Sequence, residues 1–175
     1  MFRRIRETAP AGLVPLAWTF TTAAHLGFVG DRPVLIAHLV MDMLLVLFVV
    51  LSWHDMREGV LRAWRTVILA GIPVTLAGTL GLSVVSGPLA PTLLTVSVVG
   101  WTILPAPALF YTGTESEDTA RTVNYAAGTL SIAGAATYLA GVFGGAAPSA
   151  PVLLVGLALV GVGQTAGIVD AVVRY

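Results

Sequence analysis

The chain has 175 residues, of which 57% are hydrophobic and only 10% charged, with a formal net charge of zero. Soluble domains carry roughly 25% charged residues, so a water-soluble fold of this composition lacks the polar surface it needs, and a neutral balance offers nothing to a nucleic acid. The absence of cysteine excludes disulfides, thiolate metal sites, iron–sulfur clusters and cysteine nucleophiles.

A transmembrane helix takes about 20 mostly apolar residues to cross a hydrocarbon core roughly 30 Å thick, and six stretches qualify, at about 11–30, 34–53, 64–86, 91–112, 122–143 and 151–173. Taken in chain order, the first follows the basic residues Arg3, Arg4 and Arg6 and carries Trp18, Thr21 and Thr22 on the helix face that holds His25. Basic residues, an apolar run and Thr22-Ala23-Ala24 also fit a secretory signal. The apolar run continues past that point to Gly30, however, which favours a retained helix. Asp31-Arg32-Pro33 then makes a tight turn into the second span, which holds His38, Met41 and Asp42.

The polar segment His54 to Gly59 leads to the third span, where Gly71, Thr75, Thr79 and Ser83 recur every four residues as a stripe of small side chains. Pro88 and Pro91 punctuate the entry to the fourth span, and Pro105 and Pro107 inside it, like Pro73 in the third, predict kinks. The polar segment Thr112 to Arg121 leads to the fifth span. It carries two small-residue stripes, Ala127, Ser131, Ala135 and Thr137, Gly141, Gly145, with Tyr138 in its outer half. The sixth follows Pro151, with Gly163, Gly167 and Ala171 on one face, Gln164 near its middle, and Asp170 and Arg174 spaced to pair. Helices in lipid associate through close packing at small residues, so the third, fifth and sixth spans are expected to touch neighbours. The same faces serve bundle packing or an interface with a second copy or a membrane-complex partner.

Arginine placement sets the expected orientation. Arg3, Arg4, Arg6, Arg57, Arg62, Arg65, Arg121 and Arg174 fall on one side of six alternating spans and only Arg32 on the other. The arginine-rich side is expected to be cytoplasmic, with both termini there. The predicted fold is therefore an all-α, polytopic integral membrane bundle, one domain of six transmembrane helices. The absence of lysine and the richness in Ala and Gly point to a prokaryotic source with a GC-rich genome, and so to the cytoplasmic membrane.

Intramembrane ionisable groups are costly and mark functional sites. Here the candidates are His25, His38 and Asp42. If the first two spans form a hairpin turning at Asp31 and Arg32, both histidines lie roughly 9 Å below the turn. Asp42, one helical turn past His38, lies roughly 12 Å into the hydrocarbon, where an unpaired carboxylate is not stable. Two imidazoles and a carboxylate suit zinc or ferrous iron, with Met41 as an addition for copper(I). They suit a proton relay equally. They also suit a purely structural arrangement in which His38 bonds Asp42 and His25 bonds a backbone carbonyl. Haem between adjacent helices has little room, although a single axial histidine fits. Trp18, Thr21, Tyr138 and Gln164 are candidates to line a cavity beside the cluster.

The His-x-x-x-Asp segment invites comparison with intramembrane zinc hydrolases, whose larger bundle carries a late paired-histidine motif; no histidine follows His54, so that comparison fails. His-Glu-x-x-His, a Walker loop and Gly-x-Ser-x-Gly are also missing, which argues against a hydrolase or phosphoryl-transfer enzyme. Three functional classes remain: a transporter-like or proton- or ion-coupled protein, a metal- or haem-binding protein in electron transfer or cofactor handling, and an accessory bundle that binds lipid or a partner without chemistry.

Overall fold

The computed structural model describes residues 2–145 and 148–174, the side chains from Thr8 onward. Part of the predicted connection at 144–151 and the side chains of Arg3, Arg4 and Arg6 therefore lie outside the described residues. The chain is all-helical, with no strand among the described residues: α1 Phe2–His25, α2 Asp31–Ser52, α3 Gly59–Ser83, α4 Leu89–Ile103, α5 Pro105–Thr114, α6 Asp118–Phe143 and α7 Ala150–Arg174. By length and composition, α2, α3, the joined run Leu89–Thr114, α6 and α7 are each able to cross a membrane. These five make the molecule a multi-pass membrane protein in its composition. α1 falls outside that set because its first turns are basic and its apolar stretch is diluted by Pro10, Pro15 and three threonines.

Local chemistry explains the helix ends. α1 stops at His25 rather than at Gly30. Gly27 adopts φ +76°, and the backbone N–H groups of Phe28 and Gly27 donate to the carbonyls of Ala23 and Ala24 at 3.0 Å, the glycine-terminated pattern that satisfies the last carbonyls of a helix. α2 begins with Asp31 at its positive end and Pro33 in its first turn, where the missing N–H costs nothing. At the far end of the chain Arg174 donates to Asp170 at 2.8 Å across one turn of α7.

The prolines divide in their effect. Pro73 leaves α3 uninterrupted, whereas Pro105 ends α4 and starts α5. Leu104 between them keeps helical dihedrals, φ −53° and ψ −41°, so the two pieces form one span in two segments. The fourth span, expected as a kinked helix, is interrupted at Leu104 alone and continues as α5.

The neighbours run α2, α3, α4 with α5, α6, α7, α1, with α6 and α7 the most extensively packed pair. The expected α1–α2 hairpin is corrected. The two helices are consecutive in sequence but pack on different partners, α1 along α7 and α2 along α3. In lipid, apolar faces gain little from each other, so adjacency in the chain yields to the surfaces that admit close contact. Trp18 of α1 lies over Gly161 of α7, and His38 of α2 lies over Gly78 of α3. α6 and α7 approach through a reciprocal glycine pair. A Cβ on Gly134 would stand 2.7 Å from the Gly156 carbonyl oxygen, and one on Gly156 would stand 2.8 Å from that of Gly134.

Most of the small-residue stripes are therefore occupied inside the bundle. Gly71, Thr75, Thr79, Ala127, Ser131, Ala135, Gly141, Gly163 and Gly167 are all buried, while Ser83 and Gly145 are exposed. The core gathers Trp18, Tyr138, Leu157 and Val160, with Val98, Val99 and Trp101 against them. α2 is the most peripheral span. Ile36, Leu39, Val40, Met43, Val46, Leu47 and Val50 all face outward, a surface that only an apolar solvent tolerates.

Candidate functional site

Each histidine is fixed by the same local device. A backbone carbonyl only accepts, so the ring nitrogen facing it carries the proton. His25 donates from Nδ1 to the Thr21 carbonyl at 2.8 Å, one turn back on α1, which leaves Nε2 as an acceptor. The Tyr138 hydroxyl on α6 donates to it at 2.9 Å, with the two rings edge to face at 5.7 Å. His38 donates from Nδ1 to the Val34 carbonyl at 2.9 Å, and its Nε2 faces the Ser97 hydroxyl of α4 at 3.4 Å. Each ring thereby joins its own helix to another, His25 to α6 and His38 to α4.

Asp42 differs. The Thr79 hydroxyl on α3 donates to its Oδ2 at 2.7 Å, while Oδ1 is buried with no protein partner. His38 and Asp42 sit one turn apart on α2, against the adjacent residues Gly78 and Thr79 of α3. A side chain at position 78 would fill the space of the His38 ring and crowd Ser97. The bare glycine is what lets His38 reach across α3 to α4.

The sequence expectation of one converging trio is thus divided. His38 and Asp42 share the α2–α3 interface, whereas His25 is drawn to α6 because α1 packs along α7. Among the described residues no group of three His, Asp or Glu side chains is placed to hold a metal ion. His25 therefore stands apart from His38 and Asp42. Removing the Tyr138 hydroxyl, as in Tyr138→Phe, leaves His25 Nε2 without its donor. It is expected to lower unfolding stability in detergent by about 1 kcal/mol, read as a shift of the thermal midpoint.

Of Trp18, Thr21, Tyr138 and Gln164, Trp18 and Gln164 build a hydrogen-bonded seam, while Tyr138 holds His25. Thr21 returns its hydroxyl to the Ala17 carbonyl at 2.9 Å. Trp18 Nε1 donates to Gln164 Oε1 at 3.0 Å, and Gln164 Nε2 donates to the Trp101 carbonyl at 3.0 Å. That carbonyl is available because residue 105, four positions on, is a proline and has no N–H to offer it. Trp101 Nε1 in turn donates to the Thr75 hydroxyl at 2.9 Å, and Thr75 donates to the Gly71 carbonyl at 3.0 Å. One line of hydrogen bonds therefore crosses α1, α7, α4 and α3. Its Thr75 lies one turn from Thr79, the residue that holds Asp42.

Thr79, Ser97, Thr75 and Trp101 were not singled out from sequence as partners of this site. Thr75 and Thr79 stood in the α3 small-residue stripe, and the spacing of Trp101 to Pro105 was a readable sign of a freed carbonyl. Ser97 gave no comparable sign. No protein-family model, no curated protein and no solved structure matches the chain.

Proposed function

We propose that the chain is a small proton- or ion-coupled membrane protein of transporter type, with Asp42 as its proton-binding group and His38 beside it. The reading places it in the cytoplasmic membrane of a prokaryote as a single domain of six spans, with both termini in the cytoplasm. One observation carries the reading: a carboxyl oxygen at membrane depth, buried, with no protein donor, on an acid whose other oxygen is held by Thr79. An acid left in that state within a bundle whose other polar side chains are largely satisfied is the group most open to exchanging a proton.

Two further observations support the span count and the orientation. α1 runs antiparallel to α7, with His25 level with the outer part of α6 and Trp18 against Gly161 and Gln164 near the middle of α7. A helix aligned in this way with a crossing helix crosses with it. In the sequence, eight of the nine arginines flank the span ends that six alternating crossings put on one side, with Arg32 on the other.

The complete bonding of both histidines favours a second reading, an accessory bundle that binds lipid or a partner and performs no chemistry. Infrared difference spectroscopy between acidic and alkaline pH separates the two. The proton-binding reading expects a carboxylic-acid carbonyl band that titrates and that Asp42→Asn removes. If Asp42→Asn leaves every titrating carbonyl band unchanged, the accessory reading stands.

A further inference from the structure

Away from the α2–α3 interface, two depressions of about 340 and 330 Å³ adjoin on the outside of the bundle and share Ala63 and Thr66. The first is lined by Gly59, Arg62, Ala63, Thr66 and Tyr111, at the start of α3. The second continues along Val67, Ala70, Leu104 and Pro107. Together they form one groove between α3 and the interrupted fourth span, polar at its mouth and apolar along its length. Its origin lies in the sequence. Ala63 and Ala70 on α3 face Leu104, Pro107 and Ala108 around the helix break, and these small or ring-shaped residues leave a channel unfilled. Its walls are held in place, because Trp64 Nε1 donates to the Thr112 hydroxyl at 3.2 Å across the same pair of helices.

The charge at the mouth selects the occupant. Arg65 donates to the Trp53 carbonyl and stacks on the Trp53 ring at 4.5 Å, Arg121 donates to the Ser116 carbonyl, and Arg174 pairs with Asp170. Arg62 is exposed and lines the mouth; Arg57 is exposed in the preceding turn, and the exposed Glu58, the N-cap of α3, stands four residues before Arg62. From Arg62 to Ala70 the helix rises about 12 Å, less than half of a hydrocarbon core of roughly 30 Å. The groove thus runs the depth of one leaflet, with the Arg62 guanidinium at its mouth.

We infer that this groove holds one anionic glycerophospholipid, an acyl chain along Ala63, Val67, Ala70 and Pro107 and the headgroup phosphate at Arg62. The inference rests on the membrane-embedded reading and is independent of Asp42. Failure of the membrane reading is scored first and separately, as extraction from the membrane fraction without detergent.

The test is native mass spectrometry of delipidated protein in detergent, titrated with phosphatidylglycerol or phosphatidylcholine of the same acyl chains. The expected result is one retained lipid, with phosphatidylglycerol preferred about five-fold, the effect of one basic side chain at an anionic surface. Arg62→Gln is expected to abolish the preference while leaving a lipid bound. Ala70→Leu, which fills the groove, is expected to reduce retention of both lipids. Absence of a preference in the wild type, or its persistence in Arg62→Gln, would mean annular lipid only and overturns the site. A spectrum dominated by a dimer that binds no lipid would assign the groove to a second copy and overturns it equally.

Discussion

Gly156→Val is expected to cost about 3 kcal/mol or more, measured as loss of thermal stability in detergent. A Cβ at position 156 would stand 2.6 Å from the Tyr138 backbone nitrogen, 2.8 Å from the Gly134 carbonyl oxygen and 2.9 Å from the Tyr138 Cα. All three are backbone atoms of α6, so no side-chain rotation relieves the clash and α6 must move as a body. That movement also carries Tyr138 away from His25, because the residue under the clash is the one that bonds the imidazole. Gly12→Ala is the control. Nothing lies within 4 Å of a Cβ there, and alanine is the better helix former by up to about 1 kcal/mol, so stability should hold or rise. Equal thermal midpoints for Gly156→Val and Gly12→Ala would mean that the α6–α7 approach is not the close contact described.

That contact shows what could be read from the chain and what could not. The lengths of the apolar stretches and the Gly/Pro punctuation located the five helical runs able to span, with ends shifted by a few residues, whereas α1 begins nine residues before the expected start and closes early at a glycine. The small residues of α3, α6 and α7 announced close packing, because in lipid the backbone can approach only where side chains are absent. They did not announce which helix would come. Trp18 over Gly161 and His38 over Gly78 are three-dimensional fits between residues far apart in sequence, and these pairings decide that α1 and α2 part company. The hairpin inference used chain adjacency and turn length, which do not decide the helix that each of His25 and His38 faces. For that reason the pairing of His25 with Tyr138 and of His38 with Ser97 was not legible from the chain. Asp42 was legible as a group needing a partner; that the partner is Thr79, serving one oxygen only, required the α2–α3 register.

Gln164→Leu is expected to be the costliest change among the side-chain hydrogen bonds, and the reason is the proline four residues after Trp101. Leucine occupies a similar volume, so packing is nearly conserved, but two groups lose their partners: the Trp18 indole N–H and the Trp101 carbonyl. Each buried orphan costs about 1–3 kcal/mol in soluble proteins. Hydrogen bonds between membrane helices have averaged closer to about 0.6 kcal/mol, because the membrane-embedded unfolded state finds other partners. A loss of about 2 kcal/mol follows for the pair of groups, read from reversible unfolding in mixed micelles. Pro105→Ala supplies an N–H at position 105 that can close onto the Trp101 carbonyl along the helix. In the Pro105→Ala background, removal of Gln164 should therefore cost about half as much, leaving only the indole unpaired. The difference is a coupling energy between residues 105 and 164, which strictly local effects at either position would not produce. Additive losses in the double variant would show that Gln164 does not substitute for the missing proline N–H. The seam from Trp18 to Thr75 would then be an alignment of separate contacts.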